Sequence, residues 1–282
     1  MIKEMKVALL FGCNYSTDKD AKLRGCINDV NNVSSYLRNK LNYDVRVYTD
    51  DVPGRDTTAA GIIRHIHSLA KDTWDLRKHI TNVWIHFSGH GCQIRDSSGD
   101  EEDGLDECIV PTDYKRSGVI KDDVIKNVLK SFHPNTNIMM FFDCCHSGTI
   151  CDLPYRYSEK KDSLFRKSTI RTSKDMNQRI IMISGCKDYQ TSADAFDVNK
   201  RKLWSGAMTS CLLSVLEHKE PKDMFNLLEL IRYELIIKQK GFTQIPMISS
   251  SFDLTVDNNS SLDFYQKASD IKLIERETCS IN

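Results

Sequence analysis

Two stretches of this chain are apolar at every position, Val7 to Phe11 and Ile138 to Phe142, and they stop at Gly12 and Asp143. A strand with one wet face alternates in polarity, so a run that is apolar throughout needs cover on both faces. Parallel sheets packed between helices provide that cover. Between the runs the periodicity changes: Ile27, Val30, Val33, Leu37 and Leu41 recur at helical spacing, and Asp44 to Tyr48 alternates before the Asp50, Asp51, Pro53, Gly54 turn. Thr57 or Thr58 is placed to cap a helix carrying Ile62, Ile63, Ile66 and Leu69. Val83, Ile85 and Phe87 then share one face of a strand that Gly89 and Gly91 close. A short helix is expected from about Asp122 to Lys130 and a strand over Arg179 to Ile183. Helices are expected over Trp204 to Glu217 and Met224 to Lys240, the second stopped by Gly241, and a last strand over Ile245 to Ser249. Strands alternating with helices give an α/β fold, a mostly parallel central β-sheet flanked by helices on both faces.

The length of 282 residues suits one large domain, 1–282. Within it, 155–178 carries Arg156, Lys160, Lys161, Arg166, Lys167, Arg171 and Lys174 without apolar periodicity and reads as an exposed basic loop dividing 1–154 from 179–282. Basic and acidic residues balance at 39 each, so no global field draws the chain to nucleic acid or to an anionic membrane, and a monomer is expected. The apolar run after Lys3 and Lys6 is too brief for a secretory signal, and no stretch is long and apolar enough to span a bilayer. The ten cysteines lack paired spacing and read as reduced thiols, with the cytoplasm as the expected compartment.

Chemistry concentrates where two of these strands end. His90 follows the strand through Phe87, and Cys145 follows the strand through Phe142, so both are expected at the carboxyl edge of the sheet, where doubly wound folds hold their sites. If the two strands are neighbours, His90 takes the proton of the Cys145 thiol and later protonates a leaving amine, the minimum apparatus of acyl transfer. Gly91 and Gly148 allow close approach of a substrate carbonyl, and the N–H groups of Gly91 and Cys145 are candidates for an oxyanion hole. Zinc held by His90, Cys92, Cys144, Cys145 and His146 is the other chemistry these types permit, but no C-x-x-C pair exists and adjacent cysteines clamp tetrahedral zinc poorly.

The segments His86-Phe87-Ser88-Gly89-His90-Gly91 and Asp143-Cys144-Cys145-His146-Ser147-Gly148-Thr149 closely resemble the type I metacaspases. So do Leu23 to Val30, Asp103 to Glu107, Asp152 to Tyr155, Ile183 to Cys186, Gln190 to Asp194 and Gly206 to Met208. The resemblance implies a caspase-like fold, His90 as base, Cys145 as nucleophile and an S1 pocket built from Cys26, Asp29, Ser88 and Asp143. Two carboxylates in a partly dry cleft favour a guanidinium or ammonium and reject an aspartate side chain, so the implied substrates are peptides or proteins with Arg or Lys at P1. It also implies calcium activation, with Asp106, Asp122, Asp123 and Asp152 as hard oxygen donors, and no organic cofactor. The basic loop is a candidate for self-cleavage after Arg166, Lys167 or Arg171. The competing functions are a catalytically silent caspase-like binding or scaffold module, which the intact dyad argues against, and an aspartate-cutting caspase, which the acidic pocket residues argue against.

Overall fold

The computed structural model describes residues 4–54, 56–95, 104–144, 150–160, 163–169, 176–185, 207–238 and 246–256. Its centre is an eight-stranded sheet. The strands in chain order are β1 (Met5–Gly12), β2 (Asp44–Thr49), β3 (Ile80–Ser88), β7 (Asn137–Asp143), β8 (Tyr155–Lys160), β9 (Ser163–Thr169), β10 (Arg179–Ser184) and β11 (Met247–Ser250). In space they run β2-β1-β3-β7-β10-β11-β8-β9. The pairings from β2 to β10 are parallel, and those from β10 through β11 and β8 to β9 are antiparallel. A second, antiparallel sheet is made by β4 (Gly91–Arg95), β5 (Leu105–Ile109) and β6 (Ile120–Lys121).

The apolar runs are covered on both sides, as their composition demands. Val7, Leu9 and Phe11 of β1 pack in one core with Ile62, Ile66 and Leu69 of α2 (Ala59–Thr73) and with Ile125 and Leu129 of α4 (Asp122–Leu129). Ala8 and Leu10 face the opposite core, with Val30, Val33 and Leu37 of α1 (Cys26–Leu41), Leu212 and Val215 of α5 (Ala207–His218), and Leu228 and Ile231 of α6 (Met224–Lys238). A single-turn helix, α3 (Tyr114–Ser117), completes the elements described. Local signals act where the sequence puts them: the Thr58 hydroxyl accepts from the Gly61 N–H at 3.1 Å to cap α2, and Asn42, in the left-handed region at φ 58°, closes α1. No helix among the described residues is long and apolar enough to cross a membrane.

Two expectations are corrected. Gly91, expected only to close β3, instead opens a further strand, β4, whose partner is β5. The stretch 155–178 is not a loop over most of its described length, because β8 and β9 form an antiparallel hairpin joined to the main sheet through β11. The hairpin has no apolar alternation at its tip because β9 is the sheet's edge, where charged residues are favoured as a guard against further strand pairing. Arg166 and Lys167 therefore belong to a strand, while Arg171 lies outside the described residues, as do Trp204 and Gly241.

Gly12 sets how closely α1 meets the sheet. A Cβ there would stand 2.7 Å from Val30 Cγ2 and 2.8 Å from the Cys26 carbonyl oxygen, so only a bare Cα lets the start of α1 seat on the end of β1. Gly12→Ala is expected to cost about 1–3 kcal/mol of stability, the usual effect of overpacking against backbone. A urea unfolding curve checks this, and an unchanged midpoint would show that α1 slides without cost.

Candidate active site

Parallel pairing lines up three strand ends. Gly12 of β1 is the partner of Ser88 of β3, and Ser88 is the partner of Asp143 of β7. His90 lies two residues past Ser88, and Cys145 lies two residues past Asp143 in the chain. The strands that carry the expected base and nucleophile are therefore immediate neighbours ending at one level. Cys145 itself, with His146 to Thr149, lies outside the described residues. Cys144 is buried in the core beneath the end of β7.

His90 is held from three sides. Its backbone N–H donates to the Tyr15 hydroxyl at 2.9 Å, and that hydroxyl donates to the Val110 carbonyl at 2.7 Å. The His90 carbonyl in turn accepts from the Val110 N–H at 3.0 Å, at the head of the β4–β5 ladder. Nε2 of the ring lies 2.7 Å from the Ala21 carbonyl oxygen. A carbonyl only accepts, so Nε2 carries the proton and the lone pair of the neutral ring sits on Nδ1. Gly89 makes the Tyr15 contact possible, since a Cβ there would stand 2.8 Å from the Tyr15 hydroxyl. Neither Tyr15 nor Ala21 was expected as part of the site. Tyr15 had a weak signal, because it follows β1 at the same sheet edge; a backbone carbonyl has none.

Beneath the strand ends lies a buried acidic pair. Asp29, in the first turn of α1, accepts from the Ser88 hydroxyl at 3.0 Å. Burial pushes its carboxyl far above the ordinary range, and the charge of Asp143 pushes it further. Asp143 is raised by burial as well, opposed by two bonds from Thr209 of α5, the N–H at 2.9 Å and the hydroxyl at 2.6 Å, both to Oδ2. His86, fully buried and stacked on Phe141, reaches Thr209 Oγ1 at 3.5 Å, and burial lowers its pKa to about 3, so the ring is neutral. Cys26 is wholly buried one turn before Asp29, and its N–H donates to the Asn14 side chain at 3.1 Å. Of the expected pocket residues, Asp29, Ser88 and Asp143 are thus brought together, with Cys26 at the base of the same helix. A cleft of about 470 Å³ opens between α1 and α5, with Asp29 and Thr209 among its lining.

The acidic residues expected to bind a cation lie apart from this pair, around the start of α4. Asp106, Asp122 and Asp152 are all buried; Lys121 Nζ sits 2.6 Å from Asp106 Oδ2, and Lys126 Nζ sits 3.4 Å from Asp152 Oδ2. Asp122 accepts from the N–H groups of Glu107 and Asp123. Its pKa is pushed up to about 8 by burial, then by the charges of Asp152, Glu107 and Asp106. Glu107, also buried, was not expected among them. Among the described residues, no three His, Cys, Asp or Glu side chains converge closely enough to hold a metal ion as they stand.

The chain as a whole has a match among known families. The model of the Caspase domain family matches residues 5–256. The chain belongs to the caspase-domain family. It is 35% identical over 300 residues to Metacaspase-1 of Yarrowia lipolytica, covering 89% of this chain, and 36% identical over 270 residues to Metacaspase-2 of Trypanosoma brucei brucei, covering 90%. The alignments span 63% of the Yarrowia protein and 76% of the trypanosome protein. Among solved structures, Caspase-1 from Spodoptera frugiperda shares the fold at a TM-score of 0.52 and 11% identity, over 88% of this chain and 86% of that one. The caspase-domain family is one of cysteine peptidases.

The acidic pair has a measurable cost to the fold. A carboxyl whose pKa is higher folded than unfolded destabilises the native state when it ionises; the cost is absent below the unfolded value of about 3.9 and grows as pH rises towards the folded value. Asp29→Asn keeps an acceptor for Ser88 and removes that cost. The variant is expected to unfold at higher urea than the parent at pH 8 and to converge with it near pH 4. Equal midpoints at both pH values would remove the repulsion from this account.

Proposed function

We propose that this chain is a cysteine endopeptidase that cuts after arginine or lysine through a His90–Cys145 dyad. The observation that carries the reading is the Ser88–Asp143 pairing, which sets the two motif strands side by side with Asp29 and Asp143 beneath them. His90 Nδ1 takes the Cys145 thiol proton, and the thiolate attacks the carbonyl carbon of the scissile bond. The resulting oxyanion is received by the N–H groups of Gly91 and Cys145. The C–N bond breaks as the imidazolium returns its proton to the leaving amine. Water, deprotonated by His90, then hydrolyses the thioester and frees the thiol. Ala21 and Tyr15 keep the imidazole in the required tautomer and place. A guanidinium or ammonium at P1 is drawn to Asp29 and Asp143, which Ser88 and Thr209 hold in position.

The test is cleavage of matched arginine, lysine and aspartate peptides by the parent, Cys145→Ala, His90→Ala and Cys144→Ala. Cys145→Ala and His90→Ala are expected to lose several orders of magnitude, and Cys144→Ala far less. The aspartate peptide should be cut at least roughly a hundredfold more slowly than the arginine one. No turnover by the parent would leave the silent module as the better reading, turnover by Cys145→Ala would overturn the nucleophile assignment, and equal cutting of aspartate would overturn the pocket.

Self-processing belongs to the same proposal, moved by the hairpin to the chain between β9 and β10, where Arg171 and Lys174 lie. A cut there leaves β8 and β9 in one fragment and β10 and β11 in the other, with β10 on β7 and β11 on β8, so the halves clasp each other. Mass spectrometry of parent and Cys145→Ala decides it: equal cutting of both would exclude self-cleavage.

Calcium activation is supported by the chemistry of the donor set. Asp106, Asp122 and Asp152 are hard, buried carboxylates, and the ammonium groups of Lys121 and Lys126 already balance two of them. A bound dication would supply the charge that these residues lack, with the two lysines giving way. Millimolar calcium is expected to raise the thermal midpoint of the inactive Cys145→Ala protein, and the added pair Asp122→Ala and Asp123→Ala should abolish that rise. Parent activity that is undiminished in excess chelator, or a midpoint unmoved by calcium, would remove the metal.

A further inference from the structure

The mechanism leaves one reactive pair unused. Cys92 of β4 and Cys108 of β5 are direct partners in the antiparallel register, so their side chains leave the ladder on the same face, and each thiol shifts the acidity of the other. Opposed residues of an antiparallel pair hold their Cα atoms about 4.5–5.5 Å apart, inside the window a disulfide accepts. Their surroundings differ. Cys108 is wholly buried, with Sγ 3.6 Å from the Asp106 carbonyl oxygen, whereas Cys92 is half-buried and within reach of a small solute. The other described cysteines, Cys13, Cys26, Cys144, Cys151 and Cys211, are all buried.

We propose that Cys92 and Cys108 are a redox modification site, at which a peroxide closes a reversible disulfide between β4 and β5. The Cys92 thiolate attacks one oxygen of hydrogen peroxide and becomes a sulfenic acid as hydroxide leaves. The Cys108 sulfur then displaces the sulfenic hydroxyl, forming the S–S bond. The Cys108 proton and the two departing hydroxyl groups, with the proton Cys92 gave up at the start, make two molecules of water. Two thiols are oxidised and one peroxide is reduced; a small dithiol returns both thiols. Oxidation stops at the disulfide because the resolving thiol stands directly opposite in the ladder, which spares Cys92 from the irreversible acids beyond sulfenic.

The bond would join strands that already frame the site, since Cys92 follows His90 by two residues and Cys108 precedes Val110 by two. The proposal needs neither the peptidase activity nor the calcium site, so it is tested on the full-length Cys145→Ala protein. After mild peroxide, remaining thiols are blocked with a maleimide and the unreduced digest is read by mass spectrometry. The expected result is a Cys92–Cys108 cross-linked peptide, loss of the maleimide label from both residues, and recovery of both labels after dithiothreitol. Cys108→Ser should instead carry Cys92 on to sulfinic acid, and Cys92→Ser should leave Cys108 fully labelled once the chain is unfolded in the blocking step. Both residues still labelled after peroxide, Cys92 joined to a different cysteine, or Cys92 overoxidised in the parent would each overturn the proposal. The parent's cross-link map decides the matter even if a serine variant fails to fold.

Discussion

The register of β1, β3 and β7 is the constraint on which the rest depends. Each strand is buried on both faces, so polar chemistry is excluded from most of its length and must emerge at an end. The strands end at Gly12, Ser88 and Asp143, and parallel pairing sets these three ends in one row. A shift of one residue in either pairing would turn side chains to the wrong face and separate Ser88 from Asp143. The close seating of α1 over Gly12 then delivers Asp29 to that row. The acidic pair is a by-product of how an apolar sheet ends.

Those ends are not relaxed. Two carboxyls held in a dry space repel, and their hydrogen bonds only partly offset the loss of water. Thr209 spends both its N–H and its hydroxyl on Asp143, and Ser88 gives its hydroxyl to Asp29. The same tension recurs around α4, where Asp122 is crowded by three other acids. Such sites persist because the surrounding core holds them in place, and they are the features a purely stabilising sequence would lack.

Much of this was legible in the sequence, because the most informative signals were local. Unbroken apolar runs named the buried parallel strands, and Thr57 or Thr58 marked the start of α2, with Thr58 proving to be the cap. What stayed hidden had physical reasons. Gly89 and Gly91 read as terminators, although Gly89 serves to admit the Tyr15 hydroxyl and Gly91 opens β4. The β8–β9 hairpin was masked by lysines and arginines that an edge strand accepts. Thr209 stands far from Asp143 in the chain and carries no motif of its own, and the Ala21 contact is made by backbone, which has no letter in the sequence. Asp29 and Asp143 were picked out only through their motifs, and the structure brings them together; either alone reads as an ordinary surface or turn acid.

The placing of β11 between β10 and β8 has a consequence for how the chain assembles. The hairpin of β8 and β9 is made before β10, yet it reaches the sheet only through β11, after α5 and α6. A chain that emerges amino end first therefore completes its parallel half while the hairpin has nothing to pair with. Contacts so distant in sequence form slowly, and until α5 docks, Asp143 stands without Thr209. The nascent protein thus passes through an interval in which the strand ends that frame the acidic pair exist but the clamp on Asp143 does not, so that corner of the molecule is finished by a helix made after the parallel half of the sheet.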